Sequence, residues 1–434
     1  MQRMNTNGES NVYLGSKRYS YFVFTLLFLL YMFDYVDRYV CVSMFPFLKD
    51  EWGLTDTHCG LLVSAVYWSI MIFTLPASLL IDRWSRKNLI GLMALLWSYA
   101  TVVCAITKNF RQLFMARTAI GIGEAGYSPG GTAMISALFP QEKRAMVMGI
   151  WNSSIPLGSA LGIAIGGVVA THWGWRHAFG LVAIPGLFVA LLFFWVRDYK
   201  TVDLVKTAGS DSEGSAKQRM SVMDTLKEFI GTPSLVFTLF GFAGNTFVTI
   251  SLMTWLPTYF HRTEGLAMDK AGLKGGMVML PAIIGAPLGG YIADRWRKKH
   301  INARLHFSVL SSLLFAVVFF VAMSAEGIVQ YAVMLLAGMV AVAFVPAAAA
   351  VTQDVVHPGL RATAYSLCVI MQHVLGSALG PVFVGAVSDK YDLHTALRVL
   401  PIFAVAASVL FLIGSRWYVR DMAKVEKVEM SYEG

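Results

Sequence analysis

The chain has 434 residues, of which 56% are hydrophobic and only 14% charged, whereas soluble domains carry roughly a quarter charged residues. This composition implies a protein dissolved in lipid and excludes a soluble enzyme. The formal net charge of +9 does not point to nucleic acid, because the basic residues cluster in short loops beside apolar runs, as membrane orientation requires.

A helix needs about twenty mostly apolar residues to cross a bilayer core. Windows of that kind follow one another at residues 19–45, 60–81, 89–107, 113–139, 146–171 and 178–196, and again at 235–259, 272–293, 307–323, 328–352, 363–387 and 397–418. The first run is too long for a signal-peptide core and has no small-residue cleavage site behind it, so it is expected to be a retained span. The expected fold is an all-α membrane protein with twelve transmembrane helices in two pseudo-symmetric six-helix bundles.

The expected organisation is a cytoplasmic tail over 1–18, a first bundle over 19–196, a polar cytoplasmic linker over 197–232, a second bundle over 233–420 and a cytoplasmic tail over 421–434. Arg83, Arg86 and Lys87, then Lys143 and Arg144, then Arg295, Arg297, Lys298 and Lys299 all fall on even-numbered connections, which places both termini in the cytoplasm. Short loops and tails suggest a bacterial inner membrane. Cys41, Cys59, Cys104 and Cys368 lie in or beside apolar runs without metal-ligand spacing and read as small buried hydrophobes.

Internal repetition supports a duplicated half. Pro156-Leu157-Gly158-Ser159-Ala160-Leu161-Gly162 returns 218 positions later as Val374-Leu375-Gly376-Ser377-Ala378-Leu379-Gly380. Ile81-Asp82-Arg83-Trp84 pairs with Ala293-Asp294-Arg295-Trp296 at an offset of 212, and Arg144-Ala145 with Arg361-Ala362 at 217.

These elements resemble the major facilitator superfamily, whose Gly-x-Leu-Ala-Asp-Arg-x-Gly-Arg-Lys loop follows the second span and is echoed after the eighth. The second copy, Gly290 to Lys299, matches well, whereas the first has Ser78 and Ser85 at its two glycine positions. Within the superfamily the chain most resembles the spinster family, through Tyr35-x-Asp37-Arg38-Tyr39, Gly121-x-Gly123-Glu124-Ala125-x-Tyr127-Ser128, Ile155 to Ser159, and Arg361 to Ala364 with His373. It also resembles the organic-anion symporters, which share the Asp-Arg and Gly-Glu-Ala pairs, Gly174-Trp175-Arg176 and Trp255 to Tyr259. The resemblance implies alternating access around a midplane cavity, with Asp82, Arg83, Asp294, Arg295, Arg144 and Arg361 in gating loops.

An ionisable side chain within a span is costly and therefore a functional candidate. Asp34, Asp37 and Arg38 lie at i, i+3 and i+4 of the first span, and Arg117 and Glu124 are two turns apart on the fourth. If both faces point into the cavity, as the resemblance implies, three carboxylates and two guanidiniums meet there. Glu124, Asp37 and Asp34 are the expected proton-coupling groups, although the spinster pattern usually has Asn at position 34. Arg38, whose planar fork suits phosphate or carboxylate, is the expected anion contact, with Arg117, Tyr127, Asn245 and His373 as further substrate-binding candidates. Gly158, Gly162, Gly166 and Gly167 form a small-residue face expected to pack helices of opposite halves.

No Walker-type phosphate loop, catalytic triad or metal-ligand pattern stands out, so the expected energy source is a proton gradient, without cofactor or metal. The expected function is proton-coupled secondary transport of an anionic amphipath such as a lysophospholipid or sphingoid phosphate. Transport of small organic acids such as sugar acids, a non-transporting receptor and a membrane enzyme are the rival readings. The expected partners are the anionic cargo, protons and the bilayer, with no nucleic acid, and the protein is expected to act as a monomer.

Overall fold

A computed structural model describes residues 16–83, 86–197, 227–357 and 360–425. No strand occurs among them. The chain folds into membrane-crossing helices, eleven of which are long and apolar enough to span a bilayer unaided.

In the first half, α1 runs Lys17–Trp52 through a tight turn at Cys41–Met44 and ends at Gly53, whose φ of 63° a side chain would resist. The next helices are α2 (Asp56–Arg83) and α3 (Arg86–Ala105). The fourth crossing, α4, consists of Phe110–Glu124 and Tyr127–Leu138 separated by a turn at Ala125 and Gly126. The sequence suggested one continuous run there. The break follows from chemistry, because Pro129 has no N–H with which to bond the Ala125 carbonyl one turn back, and Gly126 lets the chain turn. α5 comprises Gln141–Asn152 and Ser154–Trp173, and α6 is Trp175–Phe193.

The second half repeats the plan with α7 (Pro233–Glu264), α8 (Met268–Met279 and Ala282–Arg297), α9 (Ala303–Ser324) and α10 (Gly327–Val340 and Val345–Asp354). α11 runs from Arg361–Met371 through a wide π-turn at Gln372–Ser377 into Gly380–Lys390, and α12 is Leu393–Lys424. Such interruptions free backbone groups, and in transporters they occur where helices line a path. The linker between 198 and 226, and the tails 1–15 and 426–434, lie outside the described residues. α12 continues past the expected boundary at 420, and the buried carboxylate of Asp421 accepts from the backbone N (3.0 Å) and Oγ (2.9 Å) of Ser234, capping the start of α7. The four cysteines are buried and free.

The halves meet chiefly along two pairs, α5 against α8 and α2 against α11, with a smaller contact of α1 on α7. Glycine permits both pairs. A Cβ on Gly167 would stand 2.3 Å from the Met268 carbonyl oxygen, and one on Gly60 or Gly385 would stand 2.5 Å from the carbonyl oxygen of Pro381 or Asp56. These seams lie toward the end of the bundle that carries the α1–α2 connection, here called distal. The end that carries the described chain ends is called proximal. The small-residue face of α5 is a correction to expectation. Gly158, Gly162 and Gly166 lie against Met32, Val36 and Val40 of α1 in their own half, and of the four only Gly167 reaches the other half.

Gly167→Leu should therefore lower the melting temperature in detergent, in keeping with an overpacking cost of about 1–3 kcal/mol. Gly180→Ala, whose Cβ would meet nothing within 4 Å, is the control expected to leave the melt unchanged. Equal melting of both variants and the parent would contradict the seam.

Candidate functional site

Two short motifs build the site. In α4, Gly121 and Gly123 remove the side chains that would strike α2 and α3: a Cβ on Gly121 would sit 2.3 Å from the Val66 carbonyl oxygen, and one on Gly123 2.7 Å from the Trp97 nitrogen. Pressed in this way between α2 and α3, α4 presents Glu124 to α1. There Arg38 Nη2 donates to Glu124 Oε2 at 2.7 Å and to the Asp34 carboxylate oxygens at 3.2 and 3.4 Å. All three side chains are no more than 6% exposed. The guanidinium carbon stands 4.6 Å from the Tyr35 ring centre and 5.2 Å from that of Tyr67, so Arg38 is held by two carboxylates and two aromatic faces.

Asp37 is fully buried, and neither carboxylate oxygen has a hydrogen-bond partner. Thr101 lies beside it but donates to the Trp97 carbonyl at 3.0 Å. Glu124 Oε1 and Arg38 Nε are likewise buried without partners. The cluster therefore has spare donor and acceptor capacity, which a native interior rarely leaves open without a use.

Arg117 is engaged differently. Its Nε, Nη1 and Nη2 donate to the backbone carbonyls of Leu62, Asp37 and Arg38 at 3.1, 3.2 and 3.0 Å, and it is wholly buried. The geometry makes it a brace from α4 to α1 and α2, fixing the turn that bears the Asp37–Arg38 pair.

Tyr127 donates its hydroxyl to the Leu27 carbonyl and packs 5.5 Å from Tyr31 and 5.3 Å from Trp97. Tyr31 also stacks on Trp151 at 4.3 Å. An aromatic wall thus stands against the charged cluster. From the second half, His373 enters on the π-turn of α11 and stacks 5.6 Å from Tyr67, with its Nδ1 unpartnered. Tyr67 also lies 3.2 Å, hydroxyl to hydroxyl, from Tyr39, which reaches the Met253 sulfur of α7. Asn245, by contrast, donates to Ser312 Oγ at 2.9 Å within its own half.

The gating candidates divide. The backbones of Asp82, Arg83 and Arg144 are helical, and their side chains lie outside the described ones. Asp294 accepts from Arg304 Nη2 at 2.8 Å, and Arg304 Nη1 reaches Asp354 at 2.5 Å, so this pairing stays within the second half. Arg295 is exposed, and Arg361 Nε donates to the Gln353 carbonyl at 3.2 Å. Among the described residues no group of three or more His, Cys, Asp or Glu could hold a metal ion. Sequence reading missed the link from Arg38 through Tyr67 to His373, because three helices from both halves contribute to it and no local spacing encodes it.

The family model of the Major Facilitator Superfamily matches residues 27–381. Protein spinster homolog 3 of Danio rerio is 27% identical over 95% of the chain and 88% of its own length. The sphingosine-1-phosphate transporter SPNS2 of Mus musculus is 26% identical over 91% of the chain and 77% of its own. The hexuronate transporter of Bacillus subtilis (strain 168) is 28% identical over 68% of the chain and 70% of its own. A bacterial homolog of the human lysosomal transporter Spinster, solved inward-facing and unoccupied, superposes with a TM-score of 0.82 at 21% identity, covering 94% of this chain and 99% of that one. A D-xylose-proton symporter gives 0.72 at 17%, covering 91% and 97%. The resemblance to spinster proteins seen in the sequence is met among these relatives, and a transporter named for hexuronate, an organic anion, stands beside them. With the family model matching most of its length, the chain belongs to the major facilitator superfamily and is a multi-pass membrane transporter related to spinster proteins and to a hexuronate transporter.

Proposed function

We propose that this transporter carries an anionic amphipath, of the lysophospholipid or sphingoid phosphate kind, together with protons by alternating access. The observation that carries the reading is the imbalance around Arg38. Three carboxylates, Asp34, Asp37 and Glu124, share one buried region with two guanidiniums, Arg38 and Arg117. An uncompensated charge in such surroundings is costly, so one proton is needed for neutrality, and Asp37, with both oxygens unpartnered, is the natural place for it.

An anion that takes the Arg38 fork must displace Glu124 or Asp34. The displaced carboxylate has then lost its cation, and a second proton is the compensation nearest to hand. Anion and proton thus favour one another's binding, and this sign of linkage belongs to symport. The wall of Tyr31, Trp151, Tyr127 and Tyr35 beside the charge suits an apolar tail better than a ring of hydroxyls. Relatives named for sphingosine-1-phosphate and for hexuronate support an anionic cargo, and the second keeps sugar acids as the rival reading. The basic proximal loops support cytoplasmic termini in a bacterial inner membrane. The closed distal end then faces outward, and a monomer suffices for the cycle.

Reconstituted in liposomes with an interior pH dye, the protein should show proton influx when a lysophospholipid is added, and Glu124→Gln should bring that influx to background. Influx evoked by sugar acids alone would replace the proposed cargo, and no influx with either would overturn proton coupling or the tested cargoes. Arg38→Lys, which loses the planar fork, should raise the cargo KM by about ten- to a hundredfold, the equivalent of roughly 1.5–3 kcal/mol for a charged hydrogen bond. Arg117→Met should instead lower thermal stability, since it removes three buried hydrogen bonds from a charged group, each worth about 1.5–3 kcal/mol. The folded fraction should keep its KM, and an unchanged melt with a raised KM would make Arg117 a cargo contact.

A further inference from the structure

The distal end carries a cluster of polar contacts between the halves that no cargo or proton role accounts for. Its centre is Asp56, the first residue of α2, whose side chain is 3% exposed. Arg262 at the end of α7 grips both carboxylate oxygens, Nη1 to Oδ2 at 2.7 Å and Nη2 to Oδ1 at 2.6 Å. Ser388 of α11 donates to Oδ2 at 2.6 Å, and Lys49, from the same half as Asp56, reaches Oδ1 at 2.5 Å.

The contact is reciprocal. Asp389, next to Ser388, accepts the backbone N–H groups of Asp56 at 2.7 Å and Thr57 at 2.8 Å, and the Thr57 hydroxyl at 2.6 Å. A helix start leaves its first N–H groups without partners in its own helix. The Thr55 hydroxyl, just before α2, accepts the His58 N–H at 3.3 Å, whereas the two N–H groups ahead of it, those of Asp56 and Thr57, are taken by Asp389, so the opposite half supplies most of the cap of α2. Gly60 and Gly385 let the two backbones come close enough for this exchange.

We propose that Asp56, together with Asp389, is the positioning residue of a distal gate whose strength sets the ratio of the distally closed to the distally open conformation. The proposal rests on alternating access alone and not on the identity of cargo or coupling ion. Opening the distal end parts α2 from α7 and α11. Asp56 then keeps Lys49 but loses Arg262 and Ser388, and α2 loses its cap. These contacts exist in one state and are absent from the other, which is the condition for biasing a two-state equilibrium. The gate also shares its helices with the site: Tyr67 of α2 stacks on His373 of α11, farther along the two helices that Asp56 and Asp389 join.

The test uses the full chain in nanodiscs, without cargo or proton gradient, in a background whose four buried cysteines are replaced by alanine and which melts like the parent. Spin labels on Asp50→Cys and Tyr391→Cys, both exposed and one on each half at this end, report the separation. The parent should show one short distance. Asp56→Ala and Asp389→Ala should each shift the ratio of long to short distances at least tenfold, and Asp56→Ala with Arg262→Ala should move it no further than Asp56→Ala alone. If Asp56→Ala does not fold, Asp389→Asn, which leaves the Asp56–Arg262 pair whole, carries the same test. Parent-like distances in the folded variants overturn the proposal, as does an additive shift in the double variant. Absent proton flux in liposomes would not touch this result, so the gate and the proposed cargo stand or fall separately.

Discussion

The buried contact of Arg38 with Glu124, 2.7 Å long, sets the terms for the first half of the protein. A guanidinium cannot give up its proton in such surroundings, so it must always have anions at hand, and every helix near it is arranged to supply them or to hold the supplier. Gly121 and Gly123 admit α4, Arg117 ties α4 to the carbonyls of the turn that carries Arg38, and Tyr35 and Tyr67 cover its faces. The aromatic wall and the cross-half stack on His373 begin from the same point. Removal of Arg38 would leave Asp34 and Glu124 without the one guanidinium that contacts both, whereas removal of one carboxylate still leaves the other.

Much of the fold was legible because the bilayer imposes a length on each element. The apolar windows and their spacing corresponded to helices, and the repeated glycine and Asp-Arg elements marked the duplication. The break in α4 was hidden because Ala125 and Gly126 are themselves apolar, so hydropathy passed over a turn that proline and glycine chemistry makes. The charged members of the site were legible because ions are rare within spans. The role of Arg117 was not, since a guanidinium bonded to three carbonyls and one facing a ligand look alike in sequence. The Asp56 contacts were also out of reach: Asp56 reads as an ordinary helix start, and its partners lie 206 and 332 residues away.

The two ends of the bundle are built on different terms. At the distal end, main chain lies on main chain at Gly60, Gly167 and Gly385, and ions bridge the halves. At the proximal end, the described acidic groups Asp294 and Asp354 are bound to Arg304 within the second half. A seam of glycine backbones fits in one arrangement or not at all, so closure of this kind favours discrete states over a continuum.

The cap that Asp421 provides for α7 has a consequence for the order in which the protein is made. The ribosome delivers α7 long before it delivers the last turn of α12, so the N–H of Ser234 must wait for a partner encoded 187 residues later. The first half contains both sides of its central ion pair by residue 124 and can settle before the second half leaves the translocation machinery. The second half can close on itself only once the last turn of α12 has been made.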